Sequence, residues 1–168
     1  MKITVEDNSL QVAKNFEKQV KEQPFIVKTA LGRTAEFLMG LIKQRTQSGI
    51  NADGSPFPPY STKSFFFNIT PRAGTPTYKT FEGGYKEYRS FMGRQNSKPD
   101  LNFSGNMLSN ITQKSSPTQA IIYFANKFEN TKAVGNQRKR KFFAIGQREQ
   151  QPIINKFMEE FKKLSIIK

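Results

Sequence analysis

Two groups of residues have the types that metal chemistry needs. Asn51-x-Asp53-Gly54 supplies the oxygen ligands and the glycine found in the middle of a calcium-binding helix-loop-helix site. Asp100, followed at the next acid by Glu129-Asn130-Thr131-Lys132, has the outline of a magnesium-dependent nuclease. Neither count closes. Laid out as a calcium loop, the first ligand position falls on Gly49 and the last on Tyr60, where carboxylates are required, and Pro58-Pro59 blocks the exiting helix. A turn is the better reading of Asn-x-Asp-Gly. In the nuclease pattern the acid and the lysine are spaced Glu-x-x-Lys rather than Glu-x-Lys, and the aspartates, Asp7, Asp53 and Asp100, form no cluster along the chain. A magnesium site wants at least two carboxylates converging at about 2.1 Å. The chain also has no cysteine and no histidine, so thiol nucleophiles, disulfides, thiolate metal sites and the commonest general base are missing together. No catalytic, metal-ligating or cofactor-binding residue is assigned, and the expectation is a protein that is not an enzyme and needs no cofactor.

The charge balance points to binding instead. Twenty-seven Lys and Arg stand against 13 Asp and Glu, a formal +14, which fits a polyanion or an acidic protein surface. Lys127, Lys132, Arg138, Lys139, Arg140 and Lys141 form the densest basic run and are the candidate polyanion or partner contact. The alternative for the same run is a solvated charged loop. Phosphate contacts made there would be independent of sequence and sensitive to salt; no recognition-helix or zinc-finger pattern offers base readout. A second mixture places Tyr78, Phe81, Tyr85, Tyr88 and Phe91 among Lys79, Lys86, Arg89 and Arg94. Such a mixture can stack and clamp a single strand of nucleic acid. Burial is the heavier reading, with the aromatic stripe anchoring an excursion on the core or on a neighbouring subunit.

The elements that must position these residues follow from periodicity and punctuation. Asp7 or Ser9 caps a first helix with Leu10, Val12, Ala13, Phe16 and Val20 on its apolar face, and Pro24 ends it. Residues 25–47 form a second, stronger helix through Val27, Ala30, Leu31, Ala35, Leu38, Leu41 and Ile42, stopped by Gly49. Gly32 and Gly40 each cost the helix about 1 kcal/mol and imply close backbone packing. The stretch 49–61, with three prolines and two glycines, is a shaped loop whose Asp53-Gly54 turn and aromatic feet, Phe57 and Tyr60, make it a subunit-docking element. Residues 62–99 are an aromatic-rich excursion with a short strand at 65–69, and its long polar part, 68–99, is expected to find its order against other subunits. A short helix begins in 101–108 with Ser104 as cap and Met107, Leu108 and Ile111 inward. Strands are expected at 118–125 and 142–145, paired antiparallel, with a helical turn or two at 128–135 between them. Pro152 opens a last helix with Ile153, Ile154, Phe157, Met158, Phe161 and Leu164 inward and Glu159, Glu160, Lys162 and Lys163 outward. Residues 1–5 read as a short strand or an arm.

The sum is one domain over residues 1–168, of class α+β: a long N-terminal helix and a C-terminal helix on a small, mainly antiparallel sheet, with extended loops. Hydrophobic residues make up only 36%, and 16 phenylalanines supply much of that, so one modest core is expected. No apolar run is long enough for a membrane span, and Glu6 and Asp7 stand where a secretory leader needs its apolar centre, so the expectation is a chain made in a cytoplasm.

The order of the pieces carries a resemblance. A long helix is followed by Gly49-Ile50-Asn51-Ala52-Asp53-Gly54-Ser55-Pro56-Phe57, then by Gly84-Tyr85-Lys86-Glu87-Tyr88-Arg89, then by Leu101-Asn102-Phe103-Ser104-Gly105-Asn106-Met107-Leu108, and late by Arg140-Lys141-Phe142-Phe143-Ala144-Ile145-Gly146. This order resembles the tailed-phage virion-morphogenesis proteins, the tail-completion or neck proteins of head–tail joining. It covers about residues 30–146. The chain departs from that pattern at Lys141-Phe142, where such proteins often carry Arg-Pro, and in the length of 62–99. The resemblance implies a structural virion protein at the head–tail junction, assembled in the host cytoplasm as a homo-oligomeric ring. Its implied partners are copies of itself and portal, adaptor, neck and tail proteins, with nonspecific contact to DNA in the channel. The alternatives are a nonspecific DNA-binding module and, behind it, the metal-dependent nuclease.

Overall fold

The computed structural model describes residues 9–70 and 74–166, so the arm or strand expected at 1–5 and the Asp7 cap lie outside the described residues. The fold is α+β, with helices α1 (Ser9–Gln47), α2 (Gly84–Phe91), α3 (Asn106–Ser109), α4 (Lys127–Gln137) and α5 (Gln147–Ile166). The strands are β1 (Phe65–Asn68), β2 (Tyr78–Phe81), β3 (Ile111–Ser115) and β4 (Ala120–Phe124). They form two separate antiparallel hairpins, β1–β2 and β3–β4, where one small sheet was expected.

The two long helices and the second hairpin form one layer pair. α1 packs along α5 and against β3–β4. Its inward stripe, Leu38 and Ile42, meets Phe57, Met107, Leu108, Ile111, Ala133 and Phe142 in the main core. Gly32 permits the close approach to β3, since a Cβ there would lie 3.1 Å from the Ser115 hydroxyl; Gly40 faces open space and has no such role. Contrary to the expected break, α1 runs through Pro24 as one helix, which forgoes a single backbone bond where the flanking turns are already formed. It ends in a Schellman turn: Gly49 N–H donates to Thr46 O at 2.9 Å and Ile50 N–H to Arg45 O at 3.2 Å. Gly49 has φ +77°, and a Cβ on it would meet Pro99 O at 2.8 Å.

Several other expectations are corrected. Residues 142–145 are not a strand: Phe142 is fully buried in the core, and Arg45 Nη2 donates to the carbonyls of Phe142 (2.6 Å) and Ala144 (2.8 Å), using acceptors that a ladder would need. The partner of β4 is β3, in register from Ile111 opposite Phe124 to Ser115 opposite Ala120. α3 begins one residue later than expected, with Gly105 (φ +82°) at its N-cap, while the Ser104 hydroxyl accepts a long bond from Asn106 N–H at 3.5 Å. α5 starts at Gln147, ahead of Pro152, because Glu149 reaches back to the Gly146 N–H at 2.6 Å as in a capping box. On α5, Ile154 and Met158 are exposed while Glu160 is buried, reversing the expected faces at those positions. Glu160 sits against α1, 2.8 Å from Arg33, and 2.7 Å from Lys156 on its own helix.

The described residues of the 62–99 excursion order on their own chain. β1–β2 and α2 enclose an aromatic cluster in which Phe81, fully buried, stacks on Phe65 (5.5 Å) and meets Tyr88 edge-on (5.3 Å). Tyr88 stacks in turn on Phe103 at 5.7 Å, tying the excursion to the segment before α3. Gly84, at φ +67°, fits where a Cβ would lie 2.6 Å from the carbonyls of Ser61 and Lys63, which seats α2 on the loop.

Candidate functional site

The loop after α1 is fastened first by its own polar groups. Asp53 Oδ1 accepts from Ser55 N–H (2.9 Å) and Ser55 hydroxyl (2.6 Å), and Asn51 Nδ2 donates to Pro56 O (3.1 Å). These bonds from Ser55 hold the Asp53 carboxyl below its usual pKa. Gly54 takes φ +87° at the turn. The Asn-x-Asp-Gly segment is therefore a hydrogen-bonded turn, as expected, and its feet dock on the same chain. Phe57 enters the main core, and Tyr60 is buried beneath α2.

Tyr60 belongs to the most heavily buried charge network described. Arg89 is 2% exposed; its Nε donates to Gln95 O (2.5 Å) and its Nη2 to Asp100 Oδ1 and Asn102 O (3.2 Å each). Asp100 Oδ1 also accepts from the Tyr60 hydroxyl (3.1 Å) and from Asn102 N–H (3.0 Å). The guanidinium lies 4.8 Å from the Tyr60 ring centre, and burial pushes the phenol up to about 12. One acid, one base and one phenol thus join the end of the 49–61 loop to α2 and to the segment before α3. Asp100 is engaged as the counter-ion of Arg89, and among the described residues no group of three or more acidic side chains comes together that could hold a metal.

Above this network lies a cleft of about 850 Å³ between the 58–61 loop, the 101–105 turn and one face of α4. Tyr60, Tyr85 and Phe103 are its aromatic lining, and Lys132, Lys139 and Arg140 bring positive charge to it. α4 is placed by Asn126, whose Oδ1 caps the N–H groups of Phe128 (2.8 Å) and Glu129 (3.4 Å). That start sets Glu129 into the cleft wall, 8% exposed, with Oε1 2.8 Å from Lys132 and Oε2 buried without a partner. Arg140 Nη2 donates to Pro58 O (3.1 Å) and Pro59 O (3.4 Å), while its buried Nε has no partner. Burial lowers the Arg140 pKa.

The basic run is therefore divided. Lys132, Lys139 and Arg140 line the cleft, whereas Arg138 lines a separate groove of about 460 Å³ between β4 and α4. Lys141 gives its carbonyl to Ala52 N–H at 2.8 Å, and its charge helps to depress Asp53. Lys127 is exposed at the first turn of α4. Sequence reasoning missed the Arg89–Asp100 pair and the buried Glu129. The signal for the first was Arg89 lying inside the aromatic series with Asp100 as the nearest downstream acid. It also missed Arg45, which pairs with Glu149 and ties the end of α1 to the start of α5. No family model, curated protein or solved structure matches the chain.

Proposed function

We propose that the chain is a structural subunit of a tailed-phage virion, forming a ring with its own copies at the head–tail junction and completing the tail or head end for joining. The virion part of this reading rests on the ordered motifs from Gly49 to Gly146. The ring part rests on one observation, the apolar surface left on β4 and α4. Ile121 and Tyr123 alternate on the outer face of β4 and are 50% and 42% exposed, and Phe128 and Val134 on α4 are 78% and 49% exposed. Tyr123 and Val134 line the β4–α4 groove together with Ile122, Phe124, Ala133 and Phe143. This groove, with Ile121 and Phe128 exposed on the same two elements, supports the reading of an interface.

A closed ring needs two different patches, one fitting the other on the next copy. The outer face of β1–β2 supplies a second patch, where exposed Phe66 and Tyr78 stack at 4.9 Å. The occupant of the β4–α4 groove is accordingly a second copy of this chain, with portal, adaptor, neck or tail proteins meeting the ring above and below. The net charge of +14 suits acidic neighbouring rings and DNA in the lumen. Electron microscopy of assembled particles tests the reading: density for the chain in a ring at the head–tail junction is expected, and intact particles without it there overturn the proposal.

A further inference from the structure

We propose that the cleft beneath α4 binds a nucleotide unit, a base together with its phosphate. The inference is independent of the ring reading and rests on the cleft alone. Its volume of about 850 Å³ falls in the range of small-ligand sites, roughly 300–1,000 Å³. Glu129 and Arg140 both line this cleft, and each keeps one polar atom, Oε2 and Nε, buried behind its wall without a partner. Buried polar groups are almost always hydrogen-bonded, so two unpaired groups of opposite kind in one cleft call for a ligand that brings one donor and one acceptor.

Charge and shape narrow the choice. Arg89 is neutralised by Asp100 and Lys132 by Glu129, which leaves Lys139 and Arg140 as the unpaired charges of the cleft. A simple anion would answer Arg140 and Lys139 and leave Glu129 Oε2 without a donor. A simple cation would answer Glu129 Oε2 and compete with Lys132 beside the positive charges of Lys139 and Arg140. The ligand that suits both has an anionic end and an N–H end, joined through a flat, weakly polar body that can lie on Tyr85 or Phe103. A nucleotide has this layout: a ring N–H or exocyclic amine donates to the Glu129 carboxylate, whose Oε2 turns out of the wall to meet it, and the phosphate accepts from Arg140 and Lys139. The same unit can come from a free nucleotide or from a single strand of nucleic acid.

Calorimetric titration of the full chain with guanosine 5′-monophosphate, a short single-stranded oligonucleotide and ribose 5-phosphate tests the proposal. Saturable binding of the nucleotide or the oligonucleotide is expected, with ribose 5-phosphate weaker by about tenfold or more because it lacks the base. Binding of the mononucleotide identifies a free-nucleotide site; binding of the oligonucleotide alone identifies a nucleic-acid site. Glu129→Ala should weaken binding by about tenfold. Should that variant fold poorly, the exposed Lys139→Ala should still weaken binding and lower its salt dependence. No binding of either ligand, ribose 5-phosphate binding equal to the nucleotide, or affinity unchanged in the folded variants overturns the proposal. So does cross-linking that finds the cleft filled by a neighbouring copy; a ring without nucleotide binding would leave the assembly reading standing.

Discussion

Arg89 decides what Asp100 does. A guanidinium that is 2% exposed must keep its counter-ion, so replacing that acid should read as a loss of stability. Asp100→Ala is expected to cost about 3–5 kcal/mol in urea denaturation, because it strands a buried charge. If Asp100 served as a metal ligand, added magnesium would instead raise the melting temperature of the native chain and leave that of the variant unmoved. Glu160 is the second residue whose environment makes a measurable claim. Hydrogen bonds from Lys156, and then from Arg33, hold its carboxyl at about 2 against an ordinary 4.5. A folded-state pKa lowered in this way adds stability at any pH above about 4.5, and that stability drains away as pH falls from there towards 2. Stability curves of the native chain and of Glu160→Gln should therefore converge as pH falls through that window. Parallel curves would show that the α1–α5 contact does not depend on the carboxylate. At alkaline pH the sign reverses for Tyr60, whose raised pKa removes stability between pH 10 and about 12.

At the scale of elements, the chain is held by places where backbone passes backbone. Gly84 begins α2 at φ +67°, and any Cβ there would lie 2.6 Å from two carbonyls of the loop. Gly84→Ala is expected to destabilise by at least about 1–3 kcal/mol, since both the dihedral and the space are wrong for alanine. Phe57→Ala, which empties part of the main core, should cost about 3–5 kcal/mol; thermal melts check both. The same elements show what a sequence can express. The amphipathic stripe of α1, the Gly49 stop and the β-branched run of β4 follow local rules, and they stand where those rules put them. β3 was invisible because Ile-Thr-Gln-Lys-Ser has a single large apolar residue, and its place is set by the partner strand. The apolar run 142–145 looked like a strand, but its carbonyls belong to Arg45, nearly a hundred residues earlier, and no window along the chain can express that. The cleft was illegible for the same reason. Tyr60, Phe103 and Glu129 share nothing in sequence, and only the docking of the 49–61 loop, α2 and α4 brings them together.

For the whole molecule, the apolar surface and the charge make opposite demands. A chain of net charge +14 repels its own copies at long range, so association must come from short-range apolar burial or from a neutralising partner. The exposed apolar residues of β4 and α4 are suited to the first, and their outward position means that changing them should leave the fold intact. Tyr123→Glu combined with Val134→Glu places two acids on the groove wall, where burial against a second copy would desolvate them without a counter-charge. The double variant is expected to keep the melting temperature of the native chain within about 3 °C and to lose ring formation and particle completion. Particle yield, negative-stain images and native mass measurement under conditions where the native chain assembles provide the comparison. Wild-type assembly by the folded double variant would remove the β4–α4 groove from the subunit interface and move the search to Phe66 and Tyr78 on the other hairpin. Raising salt separates the two driving forces. Screening should favour an apolar ring of like-charged copies, whereas it should loosen a ring held by acidic partners or by DNA.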